Sequence, residues 1–148
     1  MSLDPKPDEL EVPARRGAVA VVVREGRFLV IERSALVVAP GAFCFPGGGI
    51  EGAESERDAL VREFQEELGA AIEPVRCVWR STTRWRVELA WWLGHLHPAT
   101  PLLANPAEVA AVHWLSPEEM LAHDALLESN RAFLAAVASG EICLDARG

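Results

Sequence analysis

Lysine is almost missing from this chain: Lys6 is the only one in 148 residues. That excludes a Walker A loop, whose G-K-[ST] ending places a lysine beside the phosphates. Positive charge is scarce too, with 14 lysines and arginines against 22 acids and a net charge of −8. A nucleic-acid surface would be basic, so no nucleic-acid partner is expected. A nucleotide substrate stays open, because a bound metal supplies positive charge locally. No apolar run reaches the ~18 residues of a membrane span, and the first residues are acidic and proline-bearing rather than leader-like. The three cysteines, Cys44, Cys77 and Cys143, contain no C-x-x-C pair. A reduced, cytoplasmic protein with no membrane partner is the expectation. Internal repeats and linkers are also absent. The chain therefore reads as a flexible polar arm over residues 1–14 and one domain over 15–148.

What is present concentrates between Gly47 and Ala70. Ser55 is a good N-cap, and Asp58 completes a capping-box pattern. Leu60, Phe64 and Leu68 form one apolar stripe, and Gly69 stands where a left-handed C-cap belongs. These signals predict a helix over 56–68. At about 100° per residue, Glu63, Glu66 and Glu67 fall in one sector beside the stripe. Like charges one turn apart destabilise an isolated helix, and a helix that accepts such repulsion marks a functional site. Three convergent carboxylates suit a hard divalent cation such as magnesium, which prefers oxygen ligands and substrate phosphates. Gly47, Gly48 and Gly49 lack Cβ atoms, so their backbone can approach a ligand and cradle phosphate.

The spacing is specific. Gly48 is followed by five residues and Glu54, then by seven and Arg62-Glu63-Phe64-Gln65-Glu66-Glu67-Leu68-Gly69-Ala70. This resembles the Nudix hydrolase family, whose box is G, five residues, E, seven residues, R-E-U-x-E-E-x-G-U, with U a bulky apolar residue. Every polar and glycine position matches. Ala70 is small for the last U, and Ala53 stands where many members have glycine.

The resemblance implies metal ligands at Glu63, Glu66 and Glu67, with the Gly48 carbonyl as a further one. It implies magnesium, or manganese in its place. Arg62 would orient a carboxylate, and Glu54 would support the loop or bind a second ion through water. Glu66 is the first choice of general base, and Glu108, in the loop before a later strand, is the second. Arg33, Phe43, Gly47, Gly48 and Trp85 are candidate substrate contacts: Arg33 for a phosphate, Phe43 and Trp85 for stacking on a base.

The implied reaction is hydrolysis of a phosphoanhydride in a nucleoside diphosphate linked to a group X. Flags for X are missing: the chain has no tyrosine, and Arg84 stands where ADP-ribose hydrolases carry a proline. Elimination favours a nucleoside triphosphate, canonical or oxidised, giving a monophosphate and pyrophosphate. ADP-ribose, a nucleotide sugar and a non-catalytic nucleotide sensor are the alternatives. Homodimers are common in the family, and the sequence does not choose between monomer and dimer.

The remaining chain predicts strands over 18–23, 27–33, 75–83, 85–96 and 109–115. The first two form a hairpin around Glu25-Gly26. Pro74 reads as a break. Ser116-Pro117 starts a short helix, and Asp124 caps a last one running to about Ser139. This order agrees with the α+β fold that the resemblance implies, an α/β/α sandwich in which a mixed sheet lies between helices and the box is loop-helix-loop.

Overall fold

The computed structural model describes residues 15–144, so the arm expected over 1–14 lies outside the described residues. Among the described residues, eight strands and three helices follow one another. β1 is Arg15–Val21, β2 Val23–Arg24, β3 Arg27–Arg33, β4 Phe43–Cys44 and β5 Gly47–Gly49. Helix α1 is Glu56–Leu68, followed by β6 Glu73–Thr82, β7 Val87–His95 and β8 Val109–Leu115. Helices α2, Pro117–Leu121, and α3, Glu128–Ala138, follow β8.

The strands form two four-stranded groups rather than one. A mixed sheet has the order β5-β1-β7-β6, with β1 parallel to β7 and antiparallel to β5. In the other group β3 pairs antiparallel with β2, β4 and β8. The chain changes group at Val22, so the expected hairpin survives only as the two pairs Val23–Phe28 and Arg24–Arg27. Glu25 and Gly26 both take positive φ, 52° and 75°, as a tight two-residue turn requires.

Two apolar clusters sandwich the strands. Ala18, Ala20, Leu29 and Ile31 meet Leu60, Phe64 and Leu68 of α1. Val21, Phe28, Val30 and Trp91 meet Phe133 and Leu134 of α3. Alternate residues of β1 and β3 thus serve opposite layers, as a period of two demands. This is the expected α/β/α arrangement.

Two local expectations fail for long-range reasons. Pro74 lies inside β6, not at a break, because β6 is the edge strand and its ladder shifts register between Pro74 and Arg76. Asp124 does not cap the last helix; Leu127 is the N-cap and supplies no side-chain bond. Residues 125–127 are instead taken by β4: Phe43 N donates to Ala125 O, Leu127 N donates to Phe43 O, and Phe43 bridges Leu126. The helix can start only after that pairing ends.

Candidate active site

Helix α1 has the predicted limits. Ser55 Oγ accepts from Asp58 N at 3.0 Å, and Gly69 closes the other end at φ 62°. Only the serine half of the capping box forms, whereas Ser116 and Glu119 of α2 form both halves. The glycine run is a strand, not a free loop: Gly47, Gly48 and Gly49 pair with Val19, Ala18 and Gly17. That pairing lays the glycines across α1. A Cβ on Gly48 would fall 2.3 Å from Glu63 Cδ, and one on Gly47 would fall 2.3 Å from Ala18 O. Gly47, at φ 150°, is also in a conformation that favours glycine.

Arg62 is the hub of the acids. Its Nε and Nη2 hold both oxygens of Glu54 at 2.7 and 2.9 Å, a two-point charge-assisted pair. Nη2 also reaches Gly49 O at 2.9 Å. Nη1 donates to Glu63 at 2.9 Å and to Glu66 at 3.3 Å. Glu54 Oε1 accepts from Glu51 N as well, so one carboxylate ties the loop to the helix. The Arg62 fork, then the Glu51 backbone, hold the Glu54 carboxyl down at about 2.

Glu67 lies on the opposite side of that balance. It is 5% exposed and receives Gly47 N at 2.9 Å. Burial outweighs this hydrogen bond, and Glu63 and Glu108 add repulsion, so its carboxyl rises to about 8. Burial raises Glu63 too, against the pull of Arg62. Glu108 therefore joins the acids, and its Oε2 is buried with no hydrogen-bond partner. Asn105 brings it there. Asn105 N and Nδ2 donate to the α1 carbonyls of Glu67 and Glu66, while Asn105 O receives Glu108 N. The C-terminal carbonyls of α1 are thus capped by the loop that delivers Glu108.

Excess buried carboxylate with an orphaned oxygen, facing a glycine backbone, fits a hard divalent cation. Among the described residues, no three histidine, cysteine, aspartate or glutamate side chains are yet gathered in a metal-binding arrangement. Arg62 draws Glu63 and Glu66 to itself, so a cation would have to compete with that guanidinium.

A cleft of about 1170 Å³ opens beside the glycine strand, floored by Val19, Leu89 and Trp91 and walled by the start of α3. Of the predicted substrate contacts, Gly47, Gly48, Arg33 and Trp85 line it. Arg33 donates from Nε to Val38 O at 2.6 Å, and Trp85 is 68% exposed. Phe43 is not among the lining residues. Its ring is stacked against His113 and His123, at 5.2 and 4.2 Å, so it is not free to receive a base. Asn130, passed over in the sequence, does line the cleft: it is 2% exposed, and its Nδ2 has no partner. A polar residue among the apolar positions of the last helix was the available signal.

The family model of the NUDIX domain matches residues 14–137. The chain belongs to the Nudix family. The chain is 37% identical over 106 residues to the CTP pyrophosphohydrolase of Escherichia coli strain K12, covering 69% of this chain and 76% of that one. The MutT Nudix hydrolase of Burkholderia pseudomallei superposes with a TM-score of 0.65 at 26% identity, over 82% of this chain and 95% of that one. The MutT protein of Methanosarcina mazei Go1, at 24% identity, shares the fold with a TM-score of 0.71, over 88% and 97%. The protein is a Nudix pyrophosphohydrolase, and Nudix hydrolases generally use divalent metals.

Proposed function

We propose that this Nudix enzyme hydrolyses a nucleoside triphosphate, canonical or oxidised, to a monophosphate and pyrophosphate. One observation carries the reading: surplus buried carboxylate, with Glu67 pushed up to about 8, lies against a glycine strand that opens into a nucleotide-sized cleft. The likeness to a CTP pyrophosphohydrolase supports a triphosphate over ADP-ribose or a nucleotide sugar.

Glu63, Glu66, Glu67 and the Gly48 carbonyl would hold the cation, with magnesium the first choice and manganese the second. When bound, the cation supplies charge neutralisation at the pyrophosphate oxygens and orientation of the attacking water. Gly47 and Gly48 leave room for phosphates to approach the backbone. Arg62 holds the loop and sets the Glu63 and Glu66 carboxylates in place. Glu66, partly open to solvent, would take a proton from water. Glu108, with its unpartnered oxygen, is the second reading for that role. Arg33 offers its remaining guanidinium nitrogens to a phosphate. The Asn130 amide offers a donor to the edge of a base.

The test is product release from a panel of canonical and oxidised dNTPs, ADP-ribose, dinucleoside polyphosphates and nucleotide sugars, with magnesium. Hydrolysis of triphosphates that chelator and Glu66→Gln both abolish is the expected result. Turnover confined to another class moves X. No turnover of any nucleotide that nevertheless binds makes the site a sensor.

A further inference from the structure

Most guanidiniums among the described residues are tied down. Arg16 and Arg80 share Glu56, Arg27 pairs with Glu119, and Arg62 serves the acids. Arg24, Arg33, Arg57, Arg76 and Arg131 donate to backbone carbonyls. Among the described residues, the guanidiniums of Arg15, Arg84 and Arg86 make no hydrogen bond or ion pair; Arg84 lies only over the Trp85 ring, at 4.8 Å.

These three are neighbours. Arg15 opens β1 and pairs in register with Val87, the residue after Arg86. Thr83 to Val87 is the β6–β7 turn, closed by Thr83 N to Val87 O and Arg86 N to Thr83 O, both at 2.9 Å. Thr83 Oγ1 also receives Trp85 N and Val87 N, so the tip is held from inside. Arg86 takes φ 63°, a left-handed position unusual for arginine. A strained, well-tied tip therefore presents Arg84 and Trp85 to solvent.

Arg15 and Arg84 both line the cleft. Among the residues that line it, Glu128 at the start of α3 is the acid. Glu88 does not line the cleft; it lines the adjoining recess with Glu56, Arg16 and Arg80, which borders the cleft along Arg16 and Ser81. In a chain of net charge −8, a cationic end to one cleft is a local reversal of sign, and it attracts anions. Its distance from Gly48 is fixed by the ladder. Gly48 pairs with Ala18, and Arg15 lies three residues further along β1, roughly 10 Å at the rise of a strand. The 5′- and 3′-phosphates of one ribose lie closer together than this, and the length of an arginine side chain covers the difference.

We propose that Arg15 and the Arg84–Arg86 tip form a second anion subsite, which receives a phosphate on the ribose side of a nucleotide whose 5′-phosphates lie at the glycine strand. This rests on the cleft being the nucleotide site. The preferred substrate class is then a nucleotide with phosphate at both ends. A phosphomonoester on the ribose and the phosphodiester of an attached nucleotide share this chemistry.

The test compares three probes: a nucleoside 5′-triphosphate, the same compound with a 3′-phosphate, and a 5′-triphosphorylated dinucleotide. The protein and the double variant Arg15→Ser, Arg84→Ser are assayed with magnesium. The expected result is kcat/KM about tenfold higher for a doubly phosphorylated probe, carried by KM, as an added charge-assisted contact would give. The advantage disappears in the variant, while the plain triphosphate is hydrolysed as before. Which of the two probes gains identifies monoester or diester. Equal kcat/KM for all three, or an advantage that survives the double substitution, overturns the subsite. If no nucleotide is hydrolysed, the proposed reaction fails on its own, and titration calorimetry with the same probes decides. Tighter binding of a doubly phosphorylated probe that is lost in the variant supports the subsite, and equal binding overturns it.

Discussion

Glu54 and Glu67 stand 13 residues apart in one motif, yet their environments push them in opposite directions. Glu54 is gripped by the Arg62 fork and held down at about 2. Glu67 is buried against Gly47, beside Glu63 and Glu108, and driven up to about 8. The first acid has its counter-charge built into the chain. The second has a single backbone donor and neighbours of its own sign. One end of the motif is therefore complete as a structure, and the other lacks a counter-charge from the described chain.

Removing the acid proposed to act on water should break the unfinished end most severely. Glu66→Gln keeps shape and loses charge, and its hydrolysis rate should fall about 10²- to 10⁴-fold, with unchanged far-UV circular dichroism. A rate within tenfold of the parent would move the base to Glu108, to be checked with Glu108→Gln.

Gly48→Ala comes next. The added methyl meets the Glu63 carboxylate, which must rotate away from its place on Arg62. A displacement of this size costs activity about 10²-fold. Unaltered kinetics would show that Glu63 need not stay where the structure has it.

The opposite carboxyl positions also predict opposite pH responses. With chelator present, Glu67 binds a proton in the folded protein over a range where the unfolded chain has lost it. Stability should fall as pH rises from the ordinary carboxylate range to about 8. Magnesium should flatten that slope, and Glu67→Gln should remove it. Glu54 has the reverse sign: its contribution is present above the ordinary carboxylate range and is lost as pH falls toward about 2. Melting temperature against pH, with chelator and with magnesium, measures both. A chelator curve that does not decline toward pH 8 would contradict the burial account of Glu67.

The smallest effect belongs to the completed end. Arg62→Ala strands Glu54 and Glu63 and should cost on the order of 1 kcal/mol in urea unfolding, because these groups are partly solvated. Arg62→Lys should recover little, since a lysine cannot reproduce the two-point grip on Glu54. Full recovery would reduce Arg62 to a point charge.

Helix α1 was legible to the residue from Ser55, the Leu60-Phe64-Leu68 stripe and Gly69, because capping and amphipathic spacing act within a turn or two of chain. The same held for β3, for β8 and for the Glu25-Gly26 turn. The motif acids and glycines were legible from spacing alone, and with them the Nudix family. Which acid Arg62 grips and which it leaves buried was not, since that depends on β5 crossing α1 through its pairing with β1. Asp124 looked like a cap until β4 took the backbone beside it, and Phe43 looked free until two histidines stacked on it. Glu108 and Asn130 reached the site through Asn105 and the start of α3, across separations that no local pattern records. The sequence by itself determined the helix, the turn and the metal-suited chemistry, whose causes lie in neighbouring residues. The tertiary structure alone decided the partners of each charge and the walls of the cleft, because strand pairing and burial join residues far apart along the chain.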